Sequence, residues 1–392
     1  MSDPVVIVGA KRAPIGALLG RLSSVSATDL GATALRAAVA ESGVAPSDID
    51  EAYLGCVLPA GLGQAPARQA ALAAGLSLAT PCTTVSKVCG SGMKAVMLGA
   101  QSIACGDASI VAAGGMESMS NAPHLLPRSR AGYRYGHQRL LDHMALDGLE
   151  SPWDGKAMGH FADQTAAALG FTREAMEAYS VESVRRAVEA SREGRFADEI
   201  APVTVPGRSG EERVADDETP FVIDVSRFPK QRPAFNADGR VTAGTSSSIS
   251  DGAAAVVLMA ESQARWRGTA ILGRIVAMAS HAREPAWFTT APEGAIQRVL
   301  ERAGWSIGDV DLFEINEAFA VVAIAAMRSL GIPRDKLNVH GGAVALGHPI
   351  GATGARIIVT LLHALRQRGQ RRGVASLCIG GGEATAIAVE LA

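Results

Sequence analysis

Four segments of this 392-residue chain place a reactive or polar side chain beside residues that give it room or aim it. Cys89 stands in Val85-Ser86-Lys87-Val88-Cys89-Gly90-Ser91-Gly92-Met93, where an extended stretch ends and a helical pattern begins. A thiol at a helix N-terminus feels unpaired N–H groups and the positive end of the helix dipole, which favour its thiolate. The same amides can donate to an oxyanion formed on an acyl group. A cysteine ahead of a helix is more often inert packing, and the flanking glycines, which open space beside the sulfur, are what argue for chemistry. His348 stands in Gly347-His348-Pro349-Ile350-Gly351-Ala352-Thr353-Gly354. Pro349 disfavours helical backbone at the histidine, so the ring is expected in a rigid loop before a helix. Cys378 precedes Ile379-Gly380-Gly381-Gly382 at the end of an apolar strand, and those glycines leave amides free to point into a cavity. It reads either as a packed core cysteine or, near a Cys/His pair, as an acid/base. Asn316, in Glu314-Ile315-Asn316-Glu317-Ala318-Phe319, ends another strand as a simple cap or as the holder of a water.

The elements that must position these groups come in two copies. Ala34–Gly43 and Ala295–Gly304 are similar helical stretches that close on glycine, and each leads at the same spacing through an acidic turn into an apolar strand, ending at Gly55 and Asn316. Further on, at an offset one residue longer, Ser91-Gly92-Met93-Lys94 corresponds to Thr353-Gly354-Ala355-Arg356. Each opens a helix of 3.6-residue apolar period, followed by a β-branched strand that runs into glycines. Such alternation in duplicate predicts an α/β protein with two similar sheets packed together. His348 then holds nearly the place in the second copy that Cys89 holds in the first. A pseudo-twofold axis between the copies would bring nucleophile and base face to face.

Between the copies, from about Asn121 to Ser248, lies sequence of another kind, rich in Pro, Arg and aromatic residues. Thr172 is a plausible N-cap there, with Glu174 in the first turn of a helix. A long insertion beside a core usually serves a function such as ligand binding. A formal charge of −2 gives no basic field for nucleic acid. Five cysteines at irregular spacing make neither a disulfide framework nor a metal set. The start, Met1-Ser2-Asp3-Pro4, runs straight into an apolar strand without a leader pattern; Glu390-Leu391-Ala392 is no peroxisomal address, and the apolar run Ala318–Met327 is too short to cross a bilayer. No membrane partner and a reducing, cytoplasmic location are expected.

Val88–Lys94 (VCGSGMK), Asn316–Phe319 (NEAF), Gly347–Arg356 (GHPIGATGAR) and Cys378–Gly382 (CIGGG) together resemble the thiolase family, in the same order. The stretches GQAPARQAAL and GGMESMSNAP extend the resemblance over essentially the whole chain, which looks nearest to the short-chain acetyl-CoA acetyltransferase branch. The resemblance implies two α/β halves with five-stranded mixed sheets packed in layers, residues 1–120 with 249–270 and residues 271–392, around an inserted CoA-binding loop domain, 121–248. It implies that Cys89 attacks a thioester while His348 accepts its proton, and that Cys378 removes an α-proton from a second acetyl-CoA. Asn316, through a water, and His348 would form one oxyanion site; the backbone amides of Cys89 and Gly380 would form the other. Ser247, Met158, Phe235, Ala243, Ala318 and Phe319 would line the pantetheine channel. Acetyl-CoA, acetoacetyl-CoA and CoA would be substrates and products, no metal or further cofactor is implied, and a homotetramer built as a dimer of dimers is expected.

Several positions depart from the family pattern. Ala157 stands where relatives commonly carry His, Pro220 and Arg227 where bacterial biosynthetic relatives place Arg and Ser on the nucleotide, and Val184 where some have Gln. Thr289 follows Phe288 where a mitochondrial type has Pro, and Thr219 replaces the Tyr of a potassium site, so no potassium is expected. The expected activity is reversible condensation of two acetyl-CoA. The alternative is cleavage of longer 3-ketoacyl-CoA, against which Met93, Phe288 and Phe319 would narrow the acyl pocket. A non-catalytic CoA or lipid carrier would have lost Cys89, Cys378 or His348, and a papain-like hydrolase would have no use for Cys378 or a doubled core.

Overall fold

The computed structural model describes residues 3–207 and 210–391. The chain ends discussed above, Met1, Ser2 and Ala392, lie outside them. The first half runs β1 (Val5–Arg12), β2 (Gly16–Ala17), α1 (Ala27–Ser42), β3 (Glu51–Gly55), α2 (Pro66–Ala73), β4 (Cys82–Val85), α3 (Ser91–Cys105) and β5 (Ile110–Ser118). The intervening segment holds the short pair β6 (His124–Leu125) and β7 (Leu141–Asp142), then α4 (Met158–Ala168), α5 (Arg173–Arg192) and the hairpin β8 (Val203–Gly207) and β9 (Gly210–Val214). The chain returns through β10 (Ser250–Ala260) and α6 (Glu261–Arg267). The second half follows as β11 (Gly273–Ala282), α7 (Ala291–Ala303), β12 (Leu312–Ile315), α8 (Ala320–Leu330), α9 (Ala343–Leu346), α10 (Thr353–Gln367), β13 (Arg372–Ile379) and β14 (Glu383–Glu390).

The first sheet has the order β4-β3-β5-β10-β1, parallel among β3, β4 and β5 and antiparallel at β10. The second repeats it as β12-β13-β14-β11. Where β4 would recur, the chain makes only a single parallel bridge, Leu337 to Phe313, so the fifth strand of the second sheet is reduced to one contact. The sheets join edge to edge where Val5–Ile7 pair with Gly273–Ile275.

Both inner faces close on α3 and α10, whose side chains share one core with residues of β1, β5, β10, β13 and β14. Every residue of α10 from Thr353 to Leu365 is buried, as a helix between two sheets requires. Helices α1 and α2 cover the outer face of the first sheet, and α7 and α8 that of the second. The matching glycines seen in sequence, Gly43 and Gly304, both end their helices in the left-handed region, at φ 67° and 68°. Around Thr172 the expected cap is in place: its hydroxyl accepts from Ala175 N at the start of α5.

One contact fixes the axis between the halves. A Cβ at Gly92 would stand 2.9 Å from Ala355 N, and one at Gly354 would stand 2.3 Å from Met93 N. These are equivalent glycines in the two copies, each pressed against the residue that follows the other. The N-termini of α3 and α10 therefore abut, backbone to backbone, and the loops that precede them lie side by side.

Candidate active site

Cys89 sits in the turn that enters α3. Val88 is held at φ 47°, an uncommon conformation for a β-branched residue, and Ser91 locks it by donating to Val88 O at 2.6 Å while accepting from Lys87 N at 2.8 Å. A Cβ at Gly90 would meet Ile379 Cδ1 at 2.3 Å, so glycine there lets the turn press on the end of β13. Lys87 is ion-paired with Glu383, tying the cysteine turn to the segment just past the three glycines. Desolvation pushes the Cys89 thiol up to about 11, against the N–H groups of Gly380 and of Cys89 itself, which favour the thiolate. The two expected oxyanion donors therefore already bear on this sulfur. Cys378, fully buried in β13, is raised well above the usual thiol range, first by burial and then by the nearness of Cys89. The charge of a Cys89 thiolate is thus felt at Cys378.

His348 occupies the loop between α9 and α10 and is buried. Its Nδ1 lies 2.6 Å from Thr353 Oγ1, and that hydroxyl donates its own proton to Pro349 O at 2.9 Å. Thr353 can then only accept from the ring, which places a proton on Nδ1 and leaves Nε2 with its lone pair. Burial, with Arg356 adding to it, lowers the imidazole to about 3, so the ring rests neutral. Nε2 makes no hydrogen bond to the protein, and neither side-chain atom of buried Asn316 does. Buried polar atoms without partners are costly, and three of them at expected catalytic positions are suited to substrate or solvent.

The six residues expected along the pantetheine divide into two groups. Ser247 donates from both its amide and its hydroxyl to Ala318 O, each at 3.0 Å, and Ser246 bridges Phe319, so this loop is stitched to the start of α8. Phe319 packs T-shaped on Phe235 at 5.8 Å and against Phe288 at 6.4 Å. Phe235 in turn lies on Gly159, next to Met158. Met158 opens into a cavity of about 290 Å³ whose walls include Val88, Trp153, Phe161, Gly380 and Gly381. Ala243 is exposed and faces a different cavity, of about 340 Å³, together with Arg227, Ser246 and Ser248. The structure thus links five of the six in one run of contacts that ends, through Met158, at the cavity lined by Val88 and Gly380, and sets Ala243 beside Arg227, one of the departures from the family pattern. Another, Thr289, is buried and shares a 2.6 Å hydrogen bond with Thr165 of α4.

Lys87, Trp153 and Thr353 were not singled out from sequence. Lys87 and Thr353 lie two and five residues from reactive groups, which is a usable signal. Trp153 lies in the insertion, where no repeat partner points to it.

Comparison with known proteins bears on the family and the fold. Residues 5–262 match the family described as thiolase, N-terminal domain, and residues 269–391 match thiolase, C-terminal domain. An acetyl-CoA acetyltransferase of Allochromatium vinosum is 49% identical over all of both chains. One from Pseudomonas aeruginosa is 47% identical over 98% of each, and acetyl-CoA acetyltransferase 2 of Arabidopsis thaliana is 48% identical over 99% of this chain and 97% of the plant protein. The solved structure of an acetyl-CoA acetyltransferase from Syntrophomonas wolfei superposes over the whole of both chains with a TM-score of 0.97, at 38% identity.

Proposed function

The chain belongs to the thiolase family, and from that premise we propose that it is an acyltransferase that condenses two acetyl-CoA to acetoacetyl-CoA and CoA, reversibly, through an acetyl-cysteine. What supports the reading is that Cys89 bears on Cys378 and on Gly380 N–H and packs in the cluster that holds Ile350, two residues past a neutral His348 whose Nε2 is free. Relatives at 46–49% identity that bear the name acetyl-CoA acetyltransferase favour the two-carbon reaction over the cleavage of longer chains.

In the proposed sequence, Cys89 sulfur attacks the thioester carbonyl as His348 Nε2 takes its proton. The carbonyl oxygen becomes an oxyanion facing the N–H groups of Cys89 and Gly380. When the C–S bond to CoA breaks, the departing sulfur takes the proton of Cys378. The enzyme is left with acetyl-Cys89, a Cys378 thiolate and an imidazolium. A thiolate whose thiol is held well above its ordinary range is a strong base, as a weakly acidic thioester α-proton demands. Cys378 removes that proton from a second acetyl-CoA, and the enolate oxygen faces His348 and an Asn316-held water. The enolate carbon attacks acetyl-Cys89, a new C–C bond forms, and the Cys89 sulfur leaves with the proton of His348. All groups return to their starting states.

Ser247, Met158, Phe235, Ala318 and Phe319 would hold the pantetheine arm, with Ala243 and Arg227 toward the nucleotide. The reaction is proposed to run on these side chains and amides alone. A cytoplasmic homotetramer is the proposed working form, testable by light scattering. Among the described residues no helix is long and apolar enough to cross a membrane. The decisive experiment is mass spectrometry of the protein mixed with acetyl-CoA and competing longer acyl-CoAs. An acetyl adduct on Cys89 is expected; preferential labelling by a ten-carbon chain, or labelling elsewhere, would reject the proposal.

A further inference from the structure

The loop that carries His348 is gripped at both ends by buried carboxylates to which the reaction above gives no role. We propose that Glu117 and Glu317, one from each half, are positioning residues that clamp this loop and so set His348 Nε2 against the two sulfurs. The inference rests on the assignment of His348 as the base for Cys89.

Glu117, near the end of β5, is fully buried. Its Oε2 accepts from Gly351 N at 2.8 Å and from Val57 N at 3.0 Å, and its Oε1 from Leu58 N at 3.1 Å. One carboxylate of the first half thus joins the chain after β3 to the far end of the second half's catalytic loop. The carbonyl of the same Gly351 is walled in: a Cβ at Gly55, Gly92 or Gly115 would stand 2.7, 3.0 or 2.1 Å from its oxygen. This end of the loop cannot slide.

Glu317 is also fully buried, one residue past Asn316. Its Oε1 accepts from Tyr179 OH and Asn338 Nδ2, both at 2.8 Å. Its Oε2 accepts from Ser183 Oγ at 2.8 Å and from Val344 N at 3.2 Å, in the short helix α9 that leads into the loop. A Cβ at Gly342 would stand 2.3 Å from this carboxyl carbon, so the approach requires glycine. Between the two anchors, His348 N donates to Ser248 O at 3.1 Å. Hydrogen bonds to a buried carboxylate are among the stronger ones available to a backbone amide. A displacement of about 1 Å at a reacting group can cost roughly a hundredfold in rate, and this loop has a carboxylate at each end to prevent one.

The test measures the rate of Cys89 acetylation by acetyl-CoA in rapid-quench mass spectrometry, alongside thermal unfolding, for the wild type, Glu117→Gln and Ser183→Ala. Glutamine keeps the shape but turns an N–H₂ toward amides that need an acceptor. Glu117→Gln is expected to acetylate about 10- to 100-fold more slowly, with KM for acetyl-CoA changed less than about twofold. Ser183→Ala removes one donor from Glu317 and is expected to slow acetylation by a smaller factor, about three- to tenfold. A folded Glu117→Gln that acetylates within twofold of wild type overturns the proposal, as does a loss of rate that only tracks the unfolded fraction. If that variant does not fold, Ser183→Ala decides by the same criterion. Wild-type protein that never acetylates at Cys89 is a separate outcome: it rejects the proposed function itself, and the clamp with it.

Discussion

The two halves solve the same structural problem with the same parts and put them to different uses. Ser91 opens α3 and Thr353 opens α10, at equivalent places in the repeat. Each hydroxyl donates to a carbonyl of the turn before its helix, Ser91 to Val88 O and Thr353 to Pro349 O. The difference is in what each accepts. Ser91 accepts a backbone amide, Lys87 N, and so braces the turn that presents a thiol. Thr353 accepts the imidazole N–H and so sets which nitrogen of His348 is basic. A duplicated scaffold supplied two abutting helix entrances, and the chemistry arose where their loops diverged.

That contrast can be broken most severely at the sulfurs. Cys89→Ala should abolish the acetyl adduct altogether, seen by intact-protein mass spectrometry. Cys378→Ala should still acetylate at Cys89 while condensation falls by about 10²–10⁴, the usual worth of a positioned acid/base; normal condensation by that variant would make Cys378 merely structural. Next comes Asn316→Ala, which removes one oxyanion partner and should lower kcat for condensation by about 10²–10³, leaving the acetylation rate within a few-fold of wild type. A smaller effect is expected of the hydroxyl pair. Thr353→Val should slow acetylation about tenfold and Thr353→Ser should restore it, whereas Ser91→Ala should act mainly on stability, costing roughly 1–2 kcal/mol in denaturant unfolding. Equal kinetic effects at both positions would erase the distinction between them.

The gentlest probe is acid stability. A histidine lowered from 6.5 to about 3 binds its proton more readily in the unfolded chain, so the unfolded state carries the extra proton between those values. Stability contributed by neutral His348 is therefore full above pH 6.5 and lost as pH falls toward 3, with a slope of about 1.4 kcal/mol per pH unit at most. His348→Gln should flatten the acid limb of Tm against pH, while Cys89→Ala should leave it unchanged.

Much of this architecture was legible in the sequence because duplication makes each half a template for the other. The glycines that close α1 and α7, and the offset that matches Ser91 with Thr353, mark the two helix entrances that meet at the seam. Recognition of the family rested on motifs spread along the whole chain, and the thiolase family and fold followed from them. What escaped was whatever lacked a repeat partner or a marked residue type. The strand that would mirror β4 shrank to the Leu337 bridge, which no pattern announces. Helix α4 and Trp153 lie in the unduplicated insertion. Thr353 passed for an ordinary helix opener, since a hydroxyl's acceptor role depends on where its own proton goes.

The mutual contact of Gly92 with Ala355 and of Gly354 with Met93 has a consequence for traffic. Backbones packed this closely leave no gap at the seam, so a ligand has no passage between the two helix entrances. Both acyl donors would then approach Cys89 through the cavity bordered by Met158, Trp153 and Phe161. If both use that cavity, the spent carrier of the first leaves before the second comes in, and a two-stroke exchange follows from the closed seam.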